Sequence, residues 1–415
     1  MNPGQNIAKL IVRQELFFPL LVDLSQVRNI MDTLRQTKKN PMYLFLIVLT
    51  ISSSMGLQTW HTLFNNFAVE VAGLTGKHIG IIQSVREIPG FLALLAVFVI
   101  MFIREYRLSA LSILFLGIGV AVTGLLPSYA GLLLTTLVMS FGFHYYETTN
   151  MSLTLQYFDE NSSPWVFGKQ RSFAAATNVA VGIFIYVAAI WLDFAQIYLV
   201  VGGLITLAAL WGLFQDPTDK TLIPQRKKMI LRKNYALFYF LTFMAGARRQ
   251  IFMAFAVLLM VEKFNYSIQE ITILFVINNS INYFLSPLIG KSIIRYGERK
   301  VLTVEYLSLI FVFLAYAATG SRLIVAVLYI LDHIFFNFAI AIRTYFQKVG
   351  DPRDIAPSMA VGFTINHIAA VFLPALGGLL WMIDYRIPFV GGAMMALVSL
   401  VAVQMIRIPA KAHSV

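Results

Sequence analysis

Hydrophobic residues run through this chain in long blocks separated by short polar breaks. A helix crosses a bilayer with about 20 apolar residues. Twelve blocks of that order are read at approximately 42–74, 78–103, 108–127, 130–158, 171–192, 195–214, 234–262, 268–291, 301–319, 322–348, 355–383 and 387–407. The breaks are turn-like, as in Gly73-Leu74-Thr75-Gly76-Lys77, Leu126-Pro127-Ser128 and Asn265-Tyr266-Ser267. A longer break at 215–233 holds Lys220, Arg226, Lys227, Lys228, Arg232 and Lys233 with Pro217 and Pro224, and divides the blocks six and six. No strand-like alternation of the barrel type is present. The pattern predicts an all-α membrane protein whose backbone hydrogen bonds close inside twelve transmembrane helices.

Residues 1–41 are amphipathic rather than spanning. Apolar residues such as Ile7, Leu10, Phe17 and Phe18 mix with Lys9, Arg13, Arg28 and Arg35, and Pro19 divides the segment into two short helices. Either a helix on the membrane surface or a loosely ordered tail fits this pattern. The expected organisation is an N-terminal segment at 1–41, a six-helix bundle at 42–214, a basic linker at 215–233, a second bundle at 234–408 and a tail at 409–415.

Composition agrees with this reading: 58% of residues are hydrophobic and 13% charged, against roughly 25% charged in soluble domains. The net charge of +12 would suggest nucleic acid in a soluble chain, but here it belongs to one set of loops. One face collects the N-terminal segment, Arg104, Arg107, Lys169, Arg171, the linker, Lys291, Arg295, Arg299, Lys300, Lys348, Arg353, Arg407 and Lys411. The other has only Lys77, Lys263, Arg322 and Arg386. The positive-inside rule then places both termini and the linker in the cytoplasm, with a bacterial inner membrane as the expected location. There is no cysteine, which excludes disulfides and thiolate metal sites. The first long apolar run begins near Met42, after a charged segment, so no cleaved signal peptide is expected. No nucleic-acid partner, cofactor or metal is implied, and a monomer is expected.

The halves repeat. Phe64-Asn65-Asn66-Phe67-Ala68-Val69 matches Phe252-Met253-Ala254-Phe255-Ala256-Val257 at an offset of 188 residues (252 minus 64). The same offset pairs Tyr157-Phe158 with Tyr345-Phe346, Pro164 with Pro352 and Asn178 with Asn366. Several matches at one offset predict two parallel, pseudo-symmetric six-helix bundles. Six plus six spans, a basic central loop and parallel repeats resemble the major facilitator superfamily. The loop after span 8 carries part of that family's signature, roughly G-x-x-x-D-R-x-G-R-[RK]. Here Gly290, Arg295, Gly297 and Lys300 fit, while Ile294 replaces the acidic residue. The copy after span 2, Phe102-Ile103-Arg104-Glu105-Tyr106-Arg107, keeps charge without glycine. The resemblance implies a gating loop at these positions, with an altered latch that uses Glu105 or Glu298. It also implies that spans 1, 4, 7 and 10 line a central cavity.

Those four spans are the ones with polar residues at mid-depth. Span 1 has Ser54, Gln58, His61 and Asn65 on one helical face; span 4 has His144, Glu147 and Asn150; span 7 has Arg248, Arg249 and Gln250; span 10 has Asp332, His333 and Asn337. Spans 3, 6, 9 and 12 read as almost purely apolar at their centres. An arginine at the centre of a spanning helix costs about 2.5–3.5 kcal/mol on insertion scales, so Arg248 and Arg249 are expected to face protein or a water-filled cavity. The offset of 188 sets His61 against Arg249 and His144 against Asp332. Arg86 and Glu87 in span 2 form a possible ion pair, or each pairs with another helix.

The function expected from these residues is secondary active transport of a small anionic or zwitterionic solute by alternating access. Arg248, Arg249, Gln250, Gln58, His61, Asn65 and Asn337 would hold the substrate, since a guanidinium matches carboxylate and phosphate. Glu147, Asp332 and His144 would carry the coupling proton. No phosphate-binding loop is present, so an ion gradient must supply the energy. Proton-driven efflux of an amphiphile is the alternative; the efflux signature expected in span 5 lacks its proline, and part of it stands in span 11 at Pro374-Ala375-Leu376-Gly377-Gly378. A membrane enzyme or non-transporting receptor is the third reading. His144 and Glu147 are spaced like a metal-ligand pair but have no identifiable partners in the sequence.

Overall fold

A computed structural model describes residues 36–219 and 221–408. The amphipathic segment up to residue 35, Lys220 and the expected tail at 409–415 lie outside the described residues. Residues 36–39 are helical, and the chain up to Asn40 is a unit of its own.

From Pro41 onward the described chain is almost entirely helical. Six helices make the first half: α1 (Pro41–Val71), α2 (Gly76–Phe91 with Leu92–Leu95 and Ala96–Ile100), α3 (Glu105–Thr123), α4 (Tyr129–Tyr157), α5 (Ser163–Ala188) and α6 (Phe194–Phe214). Six make the second: α7 (Lys233–Glu262), α8 (Ile268–Tyr296), α9 (Glu298–Ala318), α10 (Arg322–Val349), α11 (Ile355–Ile383) and α12 (Arg386–Val403). Among the described residues ten helices are long and apolar enough to cross a membrane. The other two, α4 and α11, have 29 residues each, about 44 Å at 1.5 Å per residue, a length consistent with twelve spans.

The helix starts follow local chemistry. Asp193 with Gln196 and Ser267 with Glu270 form capping boxes at α6 and α8, and the Ser128 hydroxyl accepts from Gly131 N at α4. The largest boundary difference from the hydrophobic pattern is at α5. The apolar block starts at 171, but the helix starts eight residues earlier at Ser163, with Pro164 in its first turn. Arg171 therefore stands inside a helix rather than in a loop. Interruptions recur in corresponding helices: a π turn at Phe67–Val71 in α1 and another at Phe252–Ala256 in α7. A wide turn of this kind often marks a functional position. In α2, Pro89 precedes a 3-10 stretch at Leu92–Leu95.

Within the first bundle α1 packs on α5 and α6, α3 on α4 and α6, and α2 on α4; within the second α7 packs on α11 and α12, and α9 on α12. The bundles meet where α5 lies along α8 and where α11 crosses α2 and α4. The α5–α8 seam depends on small residues: a Cβ at Gly168 would meet the Ser286 carbonyl, and one at Gly290 the Pro164 carbonyl. Hydrogen bonds cross between the bundles from Asn178 Nδ2 to Asn279 Oδ1 (3.0 Å), Ser172 Oγ to the Tyr283 carbonyl (2.6 Å) and Leu94 N to Thr364 Oγ1 (2.9 Å). Gln347 of α10 donates to the Leu155 and Phe158 carbonyls at 2.7 and 2.6 Å and accepts from Ser163 Oγ at 2.5 Å.

The apolar cores show which face is closed. Toward the linker, Phe238, Leu302, Tyr306, Ile340 and Phe346 of the second bundle share one cluster with Met151, Leu155 and Phe167 of the first. Toward the opposite face, the cluster of Phe255, Leu259, Phe313, Tyr316 and Phe389 is drawn from the second bundle alone. The basic face is therefore sealed by both bundles. The linker is fastened there as well. Arg226 pairs with Asp351 at 2.9 Å and with the fully buried Asp354, Arg232 reaches Asp354 at 3.0 Å, and Tyr235 donates to it at 2.8 Å. Hydrogen bonds from Arg353 hold the Asp351 carboxyl well below the usual carboxylate range.

Candidate substrate cavity

A cavity of about 340 Å³ lies between the bundles, walled by residues of α1, α4, α5, α7, α9, α10 and α11. Its apolar wall includes Phe143, Phe238, Phe252, Phe313, Phe336 and Phe363, and its charged residues are Arg171, Arg248, Arg249, Arg343, Glu147, Glu305 and Asp332.

The two adjacent arginines of α7 have different surroundings. Arg248 is buried and paired: it donates to Ser399 Oγ, stands 3.6 Å from Glu305 Oε1 and lies 4.4 Å over the Tyr306 ring, although its Nε has no hydrogen-bond partner. Asp332 is buried nearby and interacts electrostatically with Arg248, while its Oδ2 has no hydrogen-bond partner. Arg249 is half-buried, with no ion pair among the described residues and an unpartnered Nε. Successive helix positions differ by about 100°, which sends Arg248 into its own bundle and Arg249 toward the first one. There it interacts with Glu87, Glu147 and Arg171.

Two further arginines join Arg249. Arg343 of α10 lies 5.5 Å over Phe167 and Arg171 of α5 lies 5.6 Å over Phe336, so each guanidinium rests on an aromatic face supplied by the other bundle. Among the described residues neither makes an ion pair. Glu147 is the carboxylate on the wall beside these three. Setting aside Arg248 with Glu305 and Asp332, the remaining wall carries three positive charges against one negative.

Sequence reasoning missed Glu305 and Arg171 as cavity residues; Arg343 is noted in span 10 toward the cytoplasm and lines the cavity. Span 9 is not purely apolar at its centre: Glu305 stands in α9 and is the partner of Arg248. A carboxylate inside an otherwise apolar block was the available signal. Arg171 was hidden by the late start assigned to span 5. Other expected residues stand elsewhere. Asn337 lines the cavity and donates to Asn282 Oδ1 at 2.8 Å. Gln58, His61, Asn65 and Gln250 are not among the lining residues; span 1 contributes Leu57. Gln58 bonds to Thr62, and His61 sits edge-on to Trp60. Glu147 and Asp332 line the same cavity, but His144 is buried beside it, against His367. Arg86 and Glu87 pair with each other at 2.6 Å rather than with separate helices, and Arg86 lies 5.0 Å over Trp60.

The gating-loop residues also separate. Gly290 is inside α8 at the bundle seam. Gly297 turns the chain into α9 at φ +80°, a conformation that favours glycine. Arg295 and Lys300 are exposed. The two candidate latch carboxylates are taken within their own bundles: Glu298 pairs with Lys348 at 2.8 Å, and Glu105 accepts from Gln156 at 2.7 Å.

Residues 238–414 match the family model of the Major Facilitator Superfamily. The chain shares that family's pattern over its second half. It resembles solved transporters along nearly its whole length. A variant of the E. coli fucose:proton symporter FucP superposes with a TM-score of 0.72 at 12% identity, over 88% of this chain and 98% of that one. A bacterial homologue of the iron transporter ferroportin, in an outward-facing state, gives 0.70 at 13% identity over 87% and 98%. The human organic anion transporter MFSD10 gives 0.68 at 11% identity over 88% and 99%. No curated protein matches the sequence. At these identities the likeness is one of fold, and the two helical bundles are arranged as in these solved transporters.

Proposed function

We propose that this protein moves a small organic anion across the membrane by alternating access, with the anionic group held by Arg249, Arg171 and Arg343. The observation that carries this reading is the charge of the cavity wall: three guanidiniums that make no ion pair among the described residues share it with Glu147. Guanidinium forks suit carboxylate or phosphate, and a cargo anion neutralises charge that the protein leaves uncompensated. The six phenylalanines on the wall favour a cargo with an apolar body. A volume of about 340 Å³ suits a small metabolite, at the low end of known ligand pockets.

Two features support a coupling proton on Asp332 or Glu147. Arg248 faces two buried carboxylates, Glu305 and Asp332, so one positive charge is set against two negative ones in an apolar environment. Glu147 faces Arg249 and Arg343 from the other bundle. In this reading, a proton taken up by Glu147 frees Arg249 for the anion, and its loss returns Arg249 to Glu147 and releases the cargo. With the basic face cytoplasmic, the sealed side is the inner one and the conformation is outward-open. Organic anions are named as the cargo of one fold neighbour and a proton as the coupling ion of another; here those roles rest on the residues above.

A thermal-shift screen of paired compounds tests the cargo class. Carboxylates and phosphate esters should raise the unfolding temperature of the purified protein, while their neutral amide or alcohol counterparts should not. Equal shifts from both members of each pair would contradict an anionic cargo.

A further inference from the structure

A second group of side chains stands where α2, α4 and α11 meet. Glu87, His144 and His367 each bring one ligand atom to within 4.8 Å of the other two. The imidazoles stand 5.2 Å apart at 77°. Each has its Nδ1 committed: His144 to the Ser140 carbonyl at 2.8 Å, and His367 to the Phe363 carbonyl at 2.9 Å. A carbonyl only accepts, so Nδ1 carries the proton and each Nε2 presents a lone pair. Backbone hydrogen bonds of this kind orient metal-binding imidazoles. Arg86 occupies Oε1 of Glu87, and Oε2 accepts no hydrogen bond among the described residues. Gly90 lets both rings approach the α2 backbone: a Cβ there would stand 2.5 Å from the His367 ring and 2.7 Å from the His144 ring.

We infer that Glu87, His144 and His367 form a binding site for a divalent transition-metal ion of the Zn²⁺ class. Two neutral imidazoles and one carboxylate are a ligand set such ions accept, with water in the fourth position. Bonds of about 2.0–2.1 Å place tetrahedral ligands ~3.3 Å apart, so the three atoms converge with shifts under about 1 Å each. Arg86 and Arg249 stand close by and oppose a bare cation, which makes this a weak, exchangeable site rather than a structural zinc centre. Its placement gives it a consequence. Glu87 and His144 belong to the first bundle and His367 to the second, so a bound ion ties the bundles together with the basic face closed. An ion that binds one conformation alone shifts the population toward it.

Co²⁺ and Zn²⁺ are the probes, used on the full-length protein in lipid nanodiscs. Co²⁺ should produce visible d–d absorption that Zn²⁺ displaces. His144→Gln, His367→Gln and Glu87→Gln should each weaken the Co²⁺ titration at least tenfold. The chain has no cysteine, so spin labels on Arg107→Cys and Lys300→Cys report the spacing of the bundles at the basic face. Zn²⁺ should narrow that distance distribution toward its short end, and should leave it unchanged when His367→Gln is added. An absence of d–d absorption in the parent protein overturns the site. So does absorption that survives in all three variants, which would put the metal elsewhere. Absorption lost in the variants without any Zn²⁺ effect on spacing overturns the tie between bundles. Glu87→Gln and the parent titration decide the question if a histidine variant does not fold.

Discussion

Arg248 and Arg249 are neighbours in sequence with different surroundings, and substitution should separate them. Removing Arg248 leaves Glu305 and Asp332 buried beside an apolar wall. Breaking a buried pair by deleting one partner costs about 3–5 kcal/mol. Arg248→Met should therefore lower the thermal unfolding temperature in detergent markedly, whereas Arg249→Met should leave it nearly unchanged. Equal losses of stability would mean that Arg249 is structural too. Coupling belongs to the same scale. Asp332→Asn or Glu147→Gln should abolish proton-driven accumulation in proteoliposomes while exchange of cargo down its own gradient continues. Full pH-dependent accumulation in both variants would place the proton elsewhere. The sequence marked Arg248, Arg249, Glu147 and Asp332 because charge inside a long apolar block is conspicuous. It could not say which arginine is paired, because that depends on Glu305, which is 57 positions away from Arg248, and on a rotation of one residue.

At the level of elements, the helices were legible from hydropathy and their ends less so. The early start of α5 came from Ser163 and Pro164, which carry no hydropathy signal but begin a helix well. That shift moved Arg171 from the expected end of span 5 at the basic face to the cavity wall. The face of α1 with Gln58, His61 and Asn65 was correctly periodic, yet periodicity does not say what a face meets, and these residues are outside the cavity wall. The α5–α8 seam gives a test at this scale. Gly290→Val places branched carbons against the Pro164 carbonyl and should push the bundles apart at the basic face. Spin labels on Arg107→Cys and Lys300→Cys should then report a longer mean distance. An unchanged distance would show that the seam does not depend on that close approach.

For the whole molecule, the six-plus-six arrangement was readable from one repeated offset and one basic linker, since parallel repeats and charge asymmetry are both one-dimensional signals. The conformation was not, because it rests on contacts between halves such as Gln347 with Leu155 and Phe158. Orientation is testable directly. A reporter inserted after Lys228 should be cytoplasmic and one beside Lys263 should lie across the membrane; the reverse pattern would turn the open side of the cavity inward. The central claim is that an anion is held by Arg249, an arginine that makes no ion pair among the described residues. The most direct measurement is equilibrium binding of an anion that stabilises the protein, to the parent chain and to Arg249→Ala and Arg249→Lys. Truncating a desolvated charge partner typically costs about 2–5 kcal/mol, so alanine should weaken binding at least about 30-fold. Lysine, which keeps the charge but loses the fork, should restore part of it. Undiminished affinity in both variants, with the fold intact, would contradict the account.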